Sequence, residues 1–251
     1  MLNIAIGELI KVIEVMKELW DWLVHQFNIT FIVNNRYTLF LEGFKNTLII
    51  AVGAAVIGIL IGASIAMVRV YHAQTGNLKI VNALLGIYLA IFRGTPIVVQ
   101  LLIMYYIVLK NVNNALLVAV LAFGINSGAY VAEIVRAGIL SVDIGQTEAG
   151  RSLGLSAFKT LMLIVLPQAI KNILPALGNE FITLLKETSV AGYIAIRDLA
   201  RAGANVRAQT AEPYFSLLFV ALIYFILVFC MTKLLKILER RLAKSDRNHN
   251  S

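Results

Sequence analysis

Hydrophobic positions along the chain fall into five long apolar stretches separated by shorter polar segments. We place these stretches at residues 47–68, 81–109, 115–137, 158–185 and 214–235. Each reaches the length of about 20 apolar residues that a helix needs to cross a bilayer core about 30 Å thick. The pattern therefore predicts an all-α membrane protein with about five transmembrane helices.

Two of the stretches contain residues that shape a helix locally. The second stretch is interrupted by Phe92-Arg93-Gly94-Thr95-Pro96. Because proline lacks a backbone donor and disfavours helix at the residue before it, we expect a break at Thr95. The first stretch contains Gly58 and Gly62, a G-x-x-x-G pair that predicts close packing against another helix.

Residues 7–27, which precede the first stretch, follow a helical period instead of forming an apolar run. Apolar side chains recur every three or four positions between Leu9 and Phe27, and charged side chains fill the opposite face. This number of charges excludes a helix that spans the membrane. We therefore predict an amphipathic helix at the membrane surface, with Trp20 and Trp22 near the headgroups. Two interpretations stay open: an interfacial anchor, or a partner-binding or gating element.

Composition supports a membrane protein and indicates which partners the net positive charge serves. The 251-residue chain is 59% hydrophobic and 14% charged, against about 25% charged in soluble domains. The net charge of +8 lies mainly at the ends of the stretches, where basic residues are typical of topology signals and lipid contacts, so we expect no nucleic-acid partner. The single cysteine, Cys230, excludes an internal disulfide.

Basic residues also suggest an orientation. Five spans place the termini on opposite sides of the membrane, and six lysines and arginines lie between Lys233 and Arg247. This cluster favours a cytoplasmic C-terminus. The N-terminus lacks a basic region and a cleavage site, so no cleaved signal peptide is indicated. We divide the chain into an N-terminal helix and linker (residues 1–42), a transmembrane domain (43–238) and a basic cytoplasmic tail (239–251).

The segment from Ser141 to Ala169 is polar and rich in small residues, although it lies between two apolar stretches. Asp143 is expected to cap a short helix with Gln146 as its reciprocal partner, and Gly154 to end that helix. Small residues at Ala149-Gly150 leave its surface low enough for a partner to approach. These features alone fit either a docking element on the cytoplasmic side or an ordinary helical connector.

A longer pattern favours docking. Glu148-Ala149-Gly150, then three residues, Gly154, nine residues and Ile164-Val165-Leu166-Pro167 resemble the EAA loop of ABC importer permeases. That family has Glu-Ala-Ala, three residues, Gly, nine residues and Ile-x-Leu-Pro, so only Gly150 departs, and it keeps a small side chain. Residues 92–96 with Gln100, Gly145-Gln146 and residues 185–189 resemble the polar amino-acid uptake branch. The resemblance covers roughly residues 43–238.

The resemblance implies a permease subunit of an ATP-driven amino-acid importer in the cytoplasmic membrane of a bacterium or archaeon. Its partners would be ABC ATPase subunits, an external solute-binding protein and a second permease, either an identical copy or a sister chain. ATP and magnesium would bind the ATPase, so this chain would hold no cofactor and no metal and would not itself be an enzyme. The sequence has no phosphate-binding G-x-x-x-x-G-K-[ST] loop, which agrees. The residues expected to dock on the ATPase are Glu148, Ala149, Gly150, Leu153, Gly154 and Leu155.

Polar residues inside the apolar stretches are the candidates for contacting substrate. A charge within the bilayer is costly, so it usually lines a cavity or is paired. Arg93 and Glu180 are therefore either substrate contacts or structural pairs, and both interpretations stay open. A carboxylate at Glu180 favours a basic or neutral polar amino acid over an acidic one. The complete set of candidates is Arg93, Thr95, Gln100, Asn179, Glu180, Thr183 and Lys186.

Two functions from other classes compete with the importer. An ion-gradient-driven transporter or channel would use Glu133 and Glu180 as ion-coupling carboxylates, but it would have no role for the EAA pattern. We expect Glu133 instead to form a structural ion pair with Arg136, three residues later. A membrane-embedded enzyme is disfavoured because the sequence offers no nucleophile–base pair, and its three histidines are scattered.

Overall fold

The computed structural model describes residues 2–212 and 214–247, with the backbone alone for residues 2–7, 9 and 243–247. The described residues form helices and connecting turns and contain no strand, which confirms the all-α prediction. The ten α-helices are α1 (Leu2–Phe27), α2 (Tyr37–Thr75), α3 (Lys79–Gly94), α4 (Ile97–Ile103), α5 (Ala115–Leu140), α6 (Ile144–Ser152), α7 (Ala157–Thr160), α8 (Leu166–Glu187), α9 (Leu199–Thr210) and α10 (Phe215–Arg247). Short π-helical turns extend α4 to Val108 and join α7 to α8, and a 3₁₀ helix, Thr188–Ile194, follows α8.

Four helical segments of the described chain are long and apolar enough to cross a membrane. They are Tyr37–Thr75, Ala115–Leu140, Ala157–Ile194 and Phe215–Leu242. The pair α3 and α4 makes a fifth if it is counted as one span, and it bends by 111°. The bend falls at Thr95, whose backbone is extended (φ −123°, ψ 148°). The prediction of about five spans with a break at Thr95 is confirmed.

Helices α2 and α5 pack against each other along most of their length because small residues line the seam. A Cβ atom added at Gly62 would come within 2.5 Å of the Val131 side chain, and one at Gly58 within 2.9 Å of the Ser127 hydroxyl. On the α5 side of the seam, a Cβ atom added at Gly124 would come within 2.8 Å of the Ile57 side chain. The predicted role of the G-x-x-x-G pair in close packing is confirmed.

The bundle has two ends that differ in structure. At one end, which we call the α6 end, α2, α5 and α10 finish and α8 starts. At the opposite end, the far end, α9 folds back over the start of α2, where the Leu199 N–H donates to the Thr47 hydroxyl. Asp198 caps α9 through the N–H groups of Ala200 and Arg201. Burial raises the pKa of the Asp198 carboxyl to about 6.

The N-terminal segment forms the expected helix, α1, at the far end of the bundle. Trp22 packs edge-on against Phe215 at the start of α10, with ring centroids 6.4 Å apart. The opposite face of α1, with Ile13, Met16 and Trp20, is exposed. Its role as an anchor or a partner-binding element stays a prediction. At the other terminus α10 extends into the basic tail, of which residues 248–251 lie outside the described part of the chain.

Candidate functional site

Helix α6 lies within the EAA loop (residues 141–169), between caps at both ends. Asp143 accepts a hydrogen bond from the Gly145 N–H at 2.6 Å and begins the helix. Gly154 adopts φ +81° just after the helix, and the Leu155 N–H donates to the Gly150 carbonyl at 3.2 Å. A left-handed glycine in this position closes a helix C-terminus. The predicted start and end of the short helix are confirmed.

The expected reciprocal cap between Asp143 and Gln146 is wrong. The side-chain oxygen Oε1 of Gln146 accepts a hydrogen bond from the side-chain amide nitrogen of Gln168 at 3.2 Å. Gln168 lies in the first turn of α8, so this contact ties α6 to the next membrane helix. A tertiary partner has replaced the local one.

One face of α6 is seated against the permease body. Gly150 is buried, and a Cβ atom there would come within 2.7 Å of the Thr160 methyl and 2.8 Å of the end of Ile164. The departure from alanine at this position therefore has a steric reason. Since Thr160 is β-branched and buried, it cannot easily move aside.

The other face of α6 is open. Glu148 and Ala149 are exposed, and Leu153 is 80% exposed. No atom lies within 4 Å of a Cβ built on Gly154, while Leu155 is half-buried. A leucine projecting this far from a short capped helix has no packing role within the chain. Of the six residues predicted to dock, Glu148, Ala149, Leu153 and Gly154 are therefore presented on the open face, whereas Gly150 is buried against the permease body and Leu155 is half-buried.

The break between α3 and α4 is held by the side chain of Gln100. Its amide nitrogen donates to the Phe92 carbonyl at 2.9 Å and to the Thr95 carbonyl and hydroxyl at 3.0 and 2.8 Å. Its carbonyl oxygen accepts from Asn126 of α5 at 2.8 Å. Gln100 is only 7% exposed. Its polar atoms are thus occupied in satisfying the backbone that the break exposes, which is a structural task.

Arg93 takes part in a cluster of charges around Glu133 of α5. Arg69 donates to one carboxylate oxygen at 3.0 Å, and Arg136 to the other at 2.8 Å. The Arg93 guanidinium lies 3.9 Å from the second oxygen and 5.9 Å from the centre of the Tyr130 ring. The predicted ion pair between Glu133 and Arg136 is confirmed, and Arg93 and Arg69 extend it.

Glu180 lies in a cavity apart from the charge cluster around Glu133. The Ser127 hydroxyl donates to its carboxylate at 3.0 Å. Both residues line a cavity of about 290 Å³ between α2, α5 and α8, whose remaining walls are apolar. The other candidates on α8 are exposed and do not line this cavity: Asn179, Thr183 and Lys186. The Thr183 hydroxyl donates back to the Asn179 carbonyl, which is an ordinary helix contact.

The candidates at the α3–α4 break and Glu180 therefore contact different faces of α5, and the three exposed candidates on α8 belong to neither place. Asn126 and Glu133 face the α3–α4 break, whereas Ser127 is turned by about 100° toward α8. Within one copy of the chain, Arg93 and Glu180 are not brought together. Sequence reasoning missed Ser127 and Arg69 as partners. The polarity of Ser127 within an apolar stretch and the charge of Arg69 directly after one were visible signals, but their partners lie 53 and 64 residues away.

Comparison with known proteins adds a family match. Residues 58–244 match the family described as binding-protein-dependent transport system inner membrane component. The chain is 37% identical to the arginine transport system permease protein of Bacillus subtilis (strain 168), over 82% of this chain and 93% of the relative. It is 36% identical to the glutamine transport system permease protein of Escherichia coli (strain K12), over 81% and 93%.

Solved structures agree with the sequence relatives. A crystal structure of an amino acid ABC transporter with histidines superposes with a TM-score of 0.76 at 41% identity, covering 84% of this chain and 98% of that one. An inward-facing structure of the MetNI methionine ABC transporter superposes with a TM-score of 0.71 over 81% of this chain and 96% of its own. At 20% identity this second likeness shows the fold alone.

Proposed function

The chain belongs to the family of binding-protein-dependent transport system inner membrane components, and we propose that it carries polar amino acids inward through an ATP-driven importer. It is a multi-pass membrane permease of the ABC importer class. The names of its relatives, which are arginine and glutamine transport permeases, support a polar amino acid as cargo. The ion-gradient alternative is set aside because it has no role for the EAA loop.

The observation that carries the substrate proposal is the carboxylate of Glu180 in its apolar cavity. A half-buried carboxylate next to apolar walls needs a cation or hydrogen-bond donors to offset the loss of water. Among the residues that the structure describes it has one donor, the Ser127 hydroxyl at 3.0 Å. An amino acid supplies an ammonium group, and arginine or lysine supplies a second cation. A substrate that passes through the cavity would therefore offer Glu180 a cation in addition to the single hydrogen bond from Ser127.

The charge of Glu180 also sets a preference. A basic or neutral polar amino acid gains from this carboxylate, whereas an acidic side chain is repelled by it. Arg93 is less suited to receive the substrate carboxylate, because its guanidinium is drawn toward Glu133 and Tyr130. Thr95 and Gln100 maintain the α3–α4 break, and we assign them a supporting role. Asn179, Thr183 and Lys186, on the exposed side of α8, remain proposed contacts along the path.

Partners follow from the surfaces at the two ends. We propose that the open face of α6 inserts into a groove of a separate ABC ATPase, which binds ATP and magnesium. The α6 end and the C-terminus would then be cytoplasmic. The far end would meet the external solute-binding protein. A second permease, identical or sister, would complete the path beside α5 and α8, and the exposed apolar side chains would contact it or the membrane lipids.

The test is uptake by the complete transporter reconstituted in vesicles with its ATPase and binding protein. Glu180→Gln keeps the volume of the side chain and removes its charge. We expect arginine and histidine uptake to fall more than glutamine uptake, and glutamate to be discriminated against less strongly. Competition of each amino acid against labelled arginine measures the change in preference.

Ser127→Ala is the matched control. It removes the hydrogen bond to Glu180 but leaves the carboxylate, so we expect the preference to stay close to that of the unmodified protein. Unchanged uptake of all four amino acids by Glu180→Gln would remove Glu180 from the substrate path. An equal fall for all four amino acids in both variants would point to a packing role instead.

A further inference from the structure

A cavity between α2, α5 and α6 has two arginines of the Glu133 charge cluster in its wall. It has a volume of about 510 Å³ and lies at the α6 end of the bundle. Arg69 and Arg136 both line it. Neither Glu180 nor the open face of α6 takes part, so the substrate path and the ATPase docking surface leave it unexplained.

The charges around this cavity do not balance. Glu133 is a single carboxylate, and Arg69, Arg93 and Arg136 are three cations within 3.9 Å of it. The acidic residue Asp143 also lines the cavity, yet its carboxylate is engaged by the Gly145 N–H. Of these five groups, Arg69, Arg136 and Asp143 line the cavity, which gives its lining one positive charge in excess, and the five groups together keep the same excess.

Hydrogen-bond donors are also left over. Arg69 reaches Glu133 through Nη1 alone, and Arg136 reaches it through Nε and Nη2. The other N–H groups of these guanidinium groups have no acceptor among the described residues. With side chains only 27% and 36% exposed, such donors favour an anion that can accept several hydrogen bonds at once.

The depth of the site and its walls indicate the form of that anion. Arg69 lies six residues before the end of α2, and Arg136 four before the end of α5, so both are about 6–9 Å inside the helix ends. Arg69 directly follows the apolar stretch 47–68, and Arg136 lies at the end of the stretch 115–137, so both are expected near the headgroups rather than at the bilayer centre. The rest of the wall is partly apolar, and Leu140 and Ile144 are 62% and 70% exposed at its edge. A polar anion with an attached apolar chain suits this lining.

We propose that this cavity binds the phosphate of an anionic phospholipid from the leaflet at the α6 end. Arg69 and Arg136 donate to the phosphate oxygens, and the glycerol and the start of the acyl chains lie along Leu140 and Ile144. The proposal does not depend on the identity of the transported substrate. A bound lipid would bridge the end of α2, the end of α5 and the first turn of α6, and would hold the EAA loop in place.

The experiment measures lipid binding and thermal stability of the permease–ATPase complex in nanodiscs, with no transport step. Discs of phosphatidylcholine alone are compared with discs that also contain phosphatidylglycerol. We expect phosphatidylglycerol to raise the melting temperature of the permease and to remain bound in native mass spectrometry. Arg136→Gln should weaken that binding about tenfold, because it removes a charge-assisted contact. Glu133→Gln should strengthen it, because it removes the competing carboxylate.

Two further arms make the result decisive. Lys236→Gln with Arg240→Gln removes basic residues of α10 that are not part of the site, and it should leave phosphatidylglycerol binding unchanged. Inorganic phosphate added to phosphatidylcholine discs tests a soluble anion. Equal stabilisation by phosphate would overturn the lipid as occupant. No effect of either anion, or loss of binding only in the α10 variant, would overturn the site itself.

Discussion

Leu153 offers the most direct test of how the permease meets its ATPase. Its side chain is 80% exposed at the tip of α6 and touches no core of its own chain. If this leucine inserts into a partner groove, Leu153→Ala removes three carbon atoms from that contact. At about 0.8 kcal/mol for each buried carbon, complete burial would make the loss about 2.4 kcal/mol.

Docking can bury only the part of the Leu153 side chain that is exposed in the free permease, so the expected loss of binding energy scales with that exposed fraction. Four fifths of about 2.4 kcal/mol is about 1.9 kcal/mol, which corresponds to a Kd about 25 times weaker. Leu153 is a cleaner probe than Gly154. Gly154 has φ at +81°, so replacing it with any larger residue would cost about 1–2 kcal/mol of backbone strain even without a partner.

The assay is a titration of the purified permease with its ATPase in detergent, followed by calorimetry or fluorescence. Ile80→Ala is the matched control, because Ile80 is 79% exposed but belongs to α3. We expect that control to bind like the unmodified chain. A Kd for Leu153→Ala within twofold of the control would refute the docking of this face. ATP-driven uptake should fall with the affinity, without a change in substrate preference.

Three further substitutions test the fold. Gly62→Ala would place a Cβ 2.5 Å from Val131 and should lower the melting temperature through overpacking of about 1–3 kcal/mol, whereas Gly86→Ala, in open space, should not. Gly150→Ala should weaken ATPase binding and uptake despite the better helix propensity of alanine, because it displaces α6 from Thr160. Asp198 binds its proton more tightly in the folded state, where its pKa is about 6 against 3.8. The unfolding free energy should therefore fall by up to about 3 kcal/mol between pH 3 and pH 7, with most of the fall between pH 4 and pH 6. Asp198→Asn keeps a capping side chain and should remove that slope in thermal melts of the detergent-solubilised protein.

Local rules were enough to predict the features that depend on neighbouring residues. The break at Thr95 follows from Pro96, and the end of α6 follows from Gly154, because each backbone preference is set within one or two positions. The five spans follow in the same way from the length of each apolar stretch. These features would be the same in any fold that used the same segments.

Features that depend on distant partners could not be predicted in this way. Gln100 was expected to meet substrate, but four hydrogen bonds commit it to the α3–α4 break, where Asn126 is its partner. Gln146 was expected to pair with Asp143, yet its side chain accepts a hydrogen bond from Gln168 of another helix. In each case the polar residue was visible, while the competition between local and tertiary partners is decided only by packing.

Helix α5 relates the two proposed functions to each other. Its middle makes the Asn126–Gln100 and Ser127–Glu180 contacts, and its last residue, Leu140, directly precedes the EAA loop. Because the glycine seam holds α5 closely against α2, the two helices should move together when α6 is displaced. A shift at the ATPase would then reach Ser127 through a rigid pair and change the cavity around Glu180. On this argument, variants in α6 alter coupling, variants at Glu180 alter preference, and disruption of the seam at Gly62 alters both.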